Sequence, residues 1–160
     1  SADKNFYAIK ESTGTMLWMY AATAPITAGA AVYSATSLSF GDQSGTMYLV
    51  TTSGKALYVM ARGLNGKPVI GVSNVQGNTF VETASGLVAM IRIVNTGFVA
   101  WSQQTGSTLS TSPTIVDGTV YIGSADGGLY AFTPQGANPL AKPRGITVTI
   151  TNAWRCTTTP

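Results

Sequence analysis

The sequence predicts an all-β protein of about four 41-residue units, each of four strands, arranged as a β-propeller or part of one. Three observations predict it. A phrase recurs: "SADKNFYAI" at 1–9 and "SADGGLYAF" at 124–132 lie 123 residues apart, which is three steps of 41. The composition suits strands and tight turns, with 23 Thr and 18 Gly among 160 residues. No stretch carries a capped 3.6-residue apolar stripe, and apolar residues instead alternate or run in short clusters between Gly, Asn, Asp and Ser.

The repeat rests on three landmarks. Stepping by 41 from Phe6 reaches Met47, Val88 and Leu129, in "KNFYAI", "SGTMYLV", "SGLVAMI" and "GGLYAF", with Gly45, Gly86 and Gly127 in one register before them. A second Gly follows each anchor, at Gly14, Gly54, Gly97 and Gly136, in the turn phrases "STG", "TSG", "NTG" and "PQG". Four residues beyond each stand Trp18, Tyr58, Trp101 and Leu140. The third landmark is the turn before the anchor, where Gly77 of "VQGNTFVET" aligns with Gly118 of "VDGTVYIGS"; the first counterpart, "SATSLSFGD", lacks the Gly.

Within a unit, "SPTIVDG", "TVYIGSADG" and "GLYAFTPQG" read as three strands of a meander. A fourth follows in "TMLWMY" at 15–20, "KALYVM" at 55–60 and "FVAWSQ" at 98–103. A blade covered on both faces accounts for strands that are nearly continuous apolar runs. The chain reads as one repeat domain over 1–160, with units at approximately 1–41, 42–82, 83–123 and 124–160. Four full units need a few more residues than the chain has. The last unit is therefore expected to lack a strand, or to receive it from elsewhere. "ITVTITNAW", which holds Trp154, is a credible strand after the last repeat.

These phrases resemble the repeats of quinoprotein-type propellers, the PQQ-like family whose enzyme members bind pyrroloquinoline quinone. "VYIGSADGGLYAF" at 120–132 carries one half of the repeat and "YAIKESTGTMLW" at 7–18 the other, with Gly14 and Trp18 in place. The third unit keeps Gly97 and Trp101, the second has Tyr58 for Trp, and the last has Leu140. The resemblance covers nearly the whole chain and implies that Trp18 and Trp101 dock one blade on the next. It says little of function, because the same repeat serves dehydrogenases, outer-membrane assembly scaffolds and other proteins.

Chemistry is sparse. The chain has no His, which removes Ser–His–Asp and Cys–His catalysis. Of the carboxylates, Asp3, Asp117 and Asp126 occupy turn positions, and Glu11, Asp42 and Glu82 form no ligand motif with them. The enzyme members of the resembled family need a calcium held by carboxylate and amide ligands and usually a vicinal disulfide, and a single Cys cannot form the latter. "GLNGKPVIG" at 63–71 lacks phosphate-loop spacing and reads as a loop. Charged residues are 9% against roughly 25% for an average domain, and the net charge of +3 has no basic run behind it. Neither nucleic acid nor a membrane span is indicated.

The reading is a non-catalytic, cofactor-free module outside the cytoplasm, in the cell envelope or extracellular. It would act as a structural or protein-interaction unit that self-associates or joins another chain. A fragment of a quinone-dependent oxidoreductase and a sugar-binding propeller are the alternatives. The tail "TITNAWRCTTTP", with Trp154 and Cys156, is the expected joining segment, with a frayed terminus as the plainer reading. No signal peptide is visible, as after processing or in a piece of a longer protein.

Overall fold

The computed structural model describes residues 1–60, 64–94, 96–105, 107–109, 113–126, 129–132 and 146–148. They form strands and turns, in four antiparallel sheets. The first sheet pairs β1 (Asn5–Ile9) with β2 (Met16–Ala21). The second is a meander of β3 (Ala31–Ser34), β4 (Ser37–Gly41), β5 (Met47–Thr51) and β6 (Ala56–Met60). The third runs through β7 (Val69–Val75), β8 (Asn78–Thr83), β9 (Leu87–Val94) and β10 (Thr96–Gln104). The fourth holds β11 (Thr114–Val116), β12 (Thr119–Gly123), β13 (Leu129–Phe132) and β14 (Ile146–Val148). No sheet closes on itself, so the arrangement is that of a partial propeller.

The turns explain the register. Gln76–Gly77 and Asp117–Gly118 both take positive φ at the two central positions, near 49° and 74° in the first and 48° and 74° in the second. That is a type I′ hairpin, whose twist matches the strands it joins. The corresponding first turn, Ala35–Thr36, lacks the Gly and takes another form, with a register shift between Val32 and Ser34.

Each sheet packs face to face on the next. Phe6, Trp18 and Tyr20 of the first lie on Phe40, Tyr48 and Val50 of the second, and Phe6 stacks on Phe40 at 4.4 Å between ring centres. Met47 and Met60 of the second meet Val69, Val72 and Val81 of the third. Phe80, Met90 and Trp101 of the third meet Val120, Ile122 and Phe132 of the fourth. Both faces of the middle sheets are therefore buried, which is why β5 and β8 are apolar or buried along nearly their whole length.

Three details depart from the sequence reading. The sheets span 31–60, 69–104 and 114–148, so the 41-residue phrase opens on the third strand of a sheet. In consequence the sheet with fewer strands is the first, with two, while the last has four; the deficit had been expected at the other end. Gly97 is not a turn residue: it lies within β10, opposite Ile93, because the β9–β10 hairpin is longer than its counterparts and absorbs it. Residues 69–71, expected in a loop, are the start of β7.

Candidate functional site

Three aromatic side chains that the repeat places alike, Trp18, Tyr58 and Trp101, lie in the contacts between successive sheets. Trp18 on β2 lies half-buried over the β5–β6 turn. A Cβ on Gly54 would stand 2.7 Å from its ring, and its indole N–H donates to the Thr52 carbonyl at 2.8 Å. Tyr58 on β6 makes the same clasp one sheet further: a Cβ on Gly97 would stand 2.5 Å from its ring, and its hydroxyl donates to the Gly97 carbonyl at 2.7 Å. Trp101 on β10 is 8% exposed, stacks on Phe132 at 5.5 Å and meets Phe80 edge-on at 5.7 Å. Gly14 has open space where a Cβ would be, with no clasping ring above it. Trp154 and Cys156 lie outside the described residues.

The clasp makes a prediction. Gly54 has φ near +84° and Gly97 has a ring against its α-carbon, so Ala at either position must strain the backbone or push the aromatic off. Each substitution is expected to cost about 1–3 kcal/mol. Urea denaturation of both variants checks it, and midpoints equal to the parent's would show that the rings give way freely.

Two buried carboxylates were not singled out by the sequence. Asp42, at the end of β4, is fully enclosed and saturated with donors. Its Oδ1 accepts from the Ser44 amide at 2.9 Å, the Ser44 hydroxyl at 2.6 Å and the Thr46 amide at 3.1 Å. Its Oδ2 accepts from the Thr23 hydroxyl at 2.8 Å, the Ala24 amide at 3.0 Å and the Tyr48 hydroxyl at 2.8 Å. Burial pushes its pKa up, but the donors from Ser44, Thr23, Tyr48 and Thr46 outweigh it and hold the carboxyl below its ordinary range. Asp42 therefore ties the 22–26 connection to the second sheet. A signal existed: the positions one and two repeats on are Thr83 and Ser124, again short side chains with oxygens, and Thr83 likewise accepts from the amide four residues ahead.

Glu82 is the opposite case. It is 0% exposed, and neither carboxylate oxygen has a hydrogen-bond partner. Burial pushes its pKa up to about 8. In the other repeats its position is Gly41 and Gly123.

These carboxylates do not fit a quinone and its calcium. Asp42 has spent its lone pairs on protein donors, Glu82 stands without a neighbouring carboxylate or amide ligand, and among the described residues no three acidic or sulfur side chains converge.

The first sheet has one covered face and one bare one. Phe6, Trp18 and Tyr20 face the second sheet, so Tyr7, Ile9, Leu17 and Met19 face outward, and the last three are 53%, 60% and 50% exposed. At the other end, β11–β13 present Val116, Tyr121 and Leu129 on the face turned away from the third sheet.

Four-stranded meanders stacked face to face, with an aromatic of each clasping the next, define a propeller-type protein of PQQ-like repeats. The chain belongs to the family described as outer membrane protein assembly factor BamB, whose family model matches residues 2–147. The crystal structure of BamB from Moraxella catarrhalis is similar, with a TM-score of 0.60 and 27% identity over 75% of this chain. The match spans 37% of that chain, so the sequence corresponds to little over a third of the length of this relative. No curated protein matches the chain. Among the described residues no helix is long and apolar enough to cross a membrane.

Proposed function

We propose that the chain is a non-catalytic, structural and protein-interaction module of the cell envelope, whose end faces dock onto a further unit of the same repeat. The observation that carries this reading is the bare face of Tyr7, Ile9, Leu17 and Met19. It is apolar, it belongs to a two-stranded sheet with an unpaired edge, and the described faces between successive sheets are covered. Trp18, Tyr58 and Trp101 serve as the clasps that hold successive sheets in line, and the single domain spans residues 1–160. A further repeat unit offers this face the counterpart of what β3–β6 offers Phe6 and Trp18. It can come from a longer chain or from a second copy, and head-to-tail contact between copies builds rings or filaments. The family's printed role in outer-membrane protein assembly supports the cell envelope as its place. No observation on the described residues favours a piece of a quinone-dependent oxidoreductase or a sugar-binding site.

Sedimentation at micromolar concentration tests the docking face. The 160-residue chain is expected to run as a species larger than 16.6 kDa, and Met19→Asp is expected to return it to that mass. A single 16.6 kDa species for both proteins would overturn the reading.

A further inference from the structure

One polar cluster in the molecule is used by neither the clasps nor the end faces. It lies in the joint between the third and fourth sheets. There the carboxyl of Glu82 and the hydroxyls of Ser73 and Ser124 are all buried without hydrogen-bond partners. Glu82 is opposite Gly71 in the β7–β8 ladder. Its carboxylate crosses the space a Cβ on Gly71 would take, 2.7 Å from that point, and Pro113 closes the same space from the fourth sheet at 3.0 Å. Ser73 is the diagonal neighbour on the same face of β7. Ser124 follows β12 on the face that turns Val120 and Ile122 toward the third sheet, and is bridged to Leu109.

The repeat shows that this carboxyl is an addition. At the joint between the second and third sheets the same position is Gly41, and Val69 fills the space: a Cβ on Gly41 would stand 2.5 Å from it. One repeat on, Glu82 takes the place of the glycine. The fold needs no carboxyl there, and a buried, unpartnered polar group costs stability.

We propose that the joint between the third and fourth sheets is proton-gated: a neutral Glu82 keeps the two sheets docked, and its ionisation parts them. Among the described residues an ionised carboxylate in this place has no cation and no donor to accept from, so its route to hydration is to open the joint. The surrounding charges leave it alone. Arg92 shares its face but pairs with Asn78, four rungs along the strand, about 13 Å away. Asp117 sits at the far turn, next to Gly118, which lies over Gln76. Tyr121 is on the opposite face of its strand, and Asp126 holds the Tyr130 hydroxyl at 2.7 Å. The sign follows from burial. The carboxyl ionises near 4.5 when exposed and near 8 when enclosed, so docking is fully favoured below 4.5 and weakens as pH rises to about 8.

Sequence and structure offer a clean test, because Glu11 and Glu82 are the only glutamates in the chain and Glu11 is exposed. Carbon-13 NMR of the glutamate-labelled chain reads both carboxyls, and amide hydrogen exchange, corrected for its intrinsic pH dependence, reads the joint. The Glu82 signal is expected to titrate near 8 rather than near 4.5. Protection of residues 114–124 is expected to fall by more than about tenfold between pH 6 and pH 9. Protection of the second sheet, on the far side of the Gly41–Val69 joint, stays level. Glu82→Gln flattens the fall. The proposal is overturned if Glu82 titrates near 4.5. It is equally overturned if Glu82 titrates late while protection across 114–124 does not follow, a result that needs no variant to fold.

Discussion

Trp101→Ala is expected to lower the unfolding free energy by about 3–5 kcal/mol, the most of any clasp substitution. The ring is almost wholly enclosed and lies between Phe80 of its own sheet and Phe132 of the fourth, so its removal leaves a cavity shared by two sheets. Trp18 is half-buried at the end of the stack, and Trp18→Ala is expected to cost less, about 1–3 kcal/mol. Trp101→Phe divides the effect. It keeps most of the apolar area and also removes an indole N–H that is buried without a partner among the described residues. The lost ring volume and the relieved N–H oppose each other, so this variant should lie well above Ala in stability. Urea unfolding followed by circular dichroism gives all three values. A loss below about 1 kcal/mol for Trp101→Ala would show that the third and fourth sheets are held by something other than this ring.

How much of this could be seen in the sequence depends on what the repeat constrains. Strand positions were legible because each hairpin is bounded by residues with a conformational reason to be there, as Gly77 and Gly118 are in the type I′ turns. The clasp was legible as a spacing, Gly to aromatic in four residues, because it recurs. What it clasps was not: Trp18 and Tyr58 reach the glycine of the following sheet, a contact between residues 36 and 39 apart that no local pattern encodes. The phase of the sheets was hidden for a similar reason. A tandem repeat has the same period wherever it is cut, and only hydrogen bonding decides that β1 is a third strand. Glu82 escapes a pattern of carboxylates grouped by spacing, because it stands alone. Its message lies in being a lone substitution at a glycine position of the repeat, which comparing Gly41, Glu82 and Gly123 in register would have shown.

Asp42 gives the second large effect, with a pH dependence opposite to that of Glu82. Its carboxylate receives six donors from Thr23, Ala24, Ser44, Thr46 and Tyr48, all of which lose their acceptor together if it is removed. Asp42→Ala is expected to cost about 3 kcal/mol at pH 7, because buried amide and hydroxyl donors lose this acceptor. Asp42→Asn keeps the shape but turns one oxygen into a donor that faces other donors, so it is expected to cost about 2 kcal/mol. Because the folded carboxyl sits below its unfolded value of 3.8, its contribution is complete above that value and is lost as pH falls through and below it. The parent should therefore lose stability in acid faster than Asp42→Asn does, and the gap between them should narrow from pH 7 to pH 3. Urea midpoints at the two pH values measure it. A gap of the same size at both would mean that the network holds the 22–26 connection by shape rather than by the charge of Asp42.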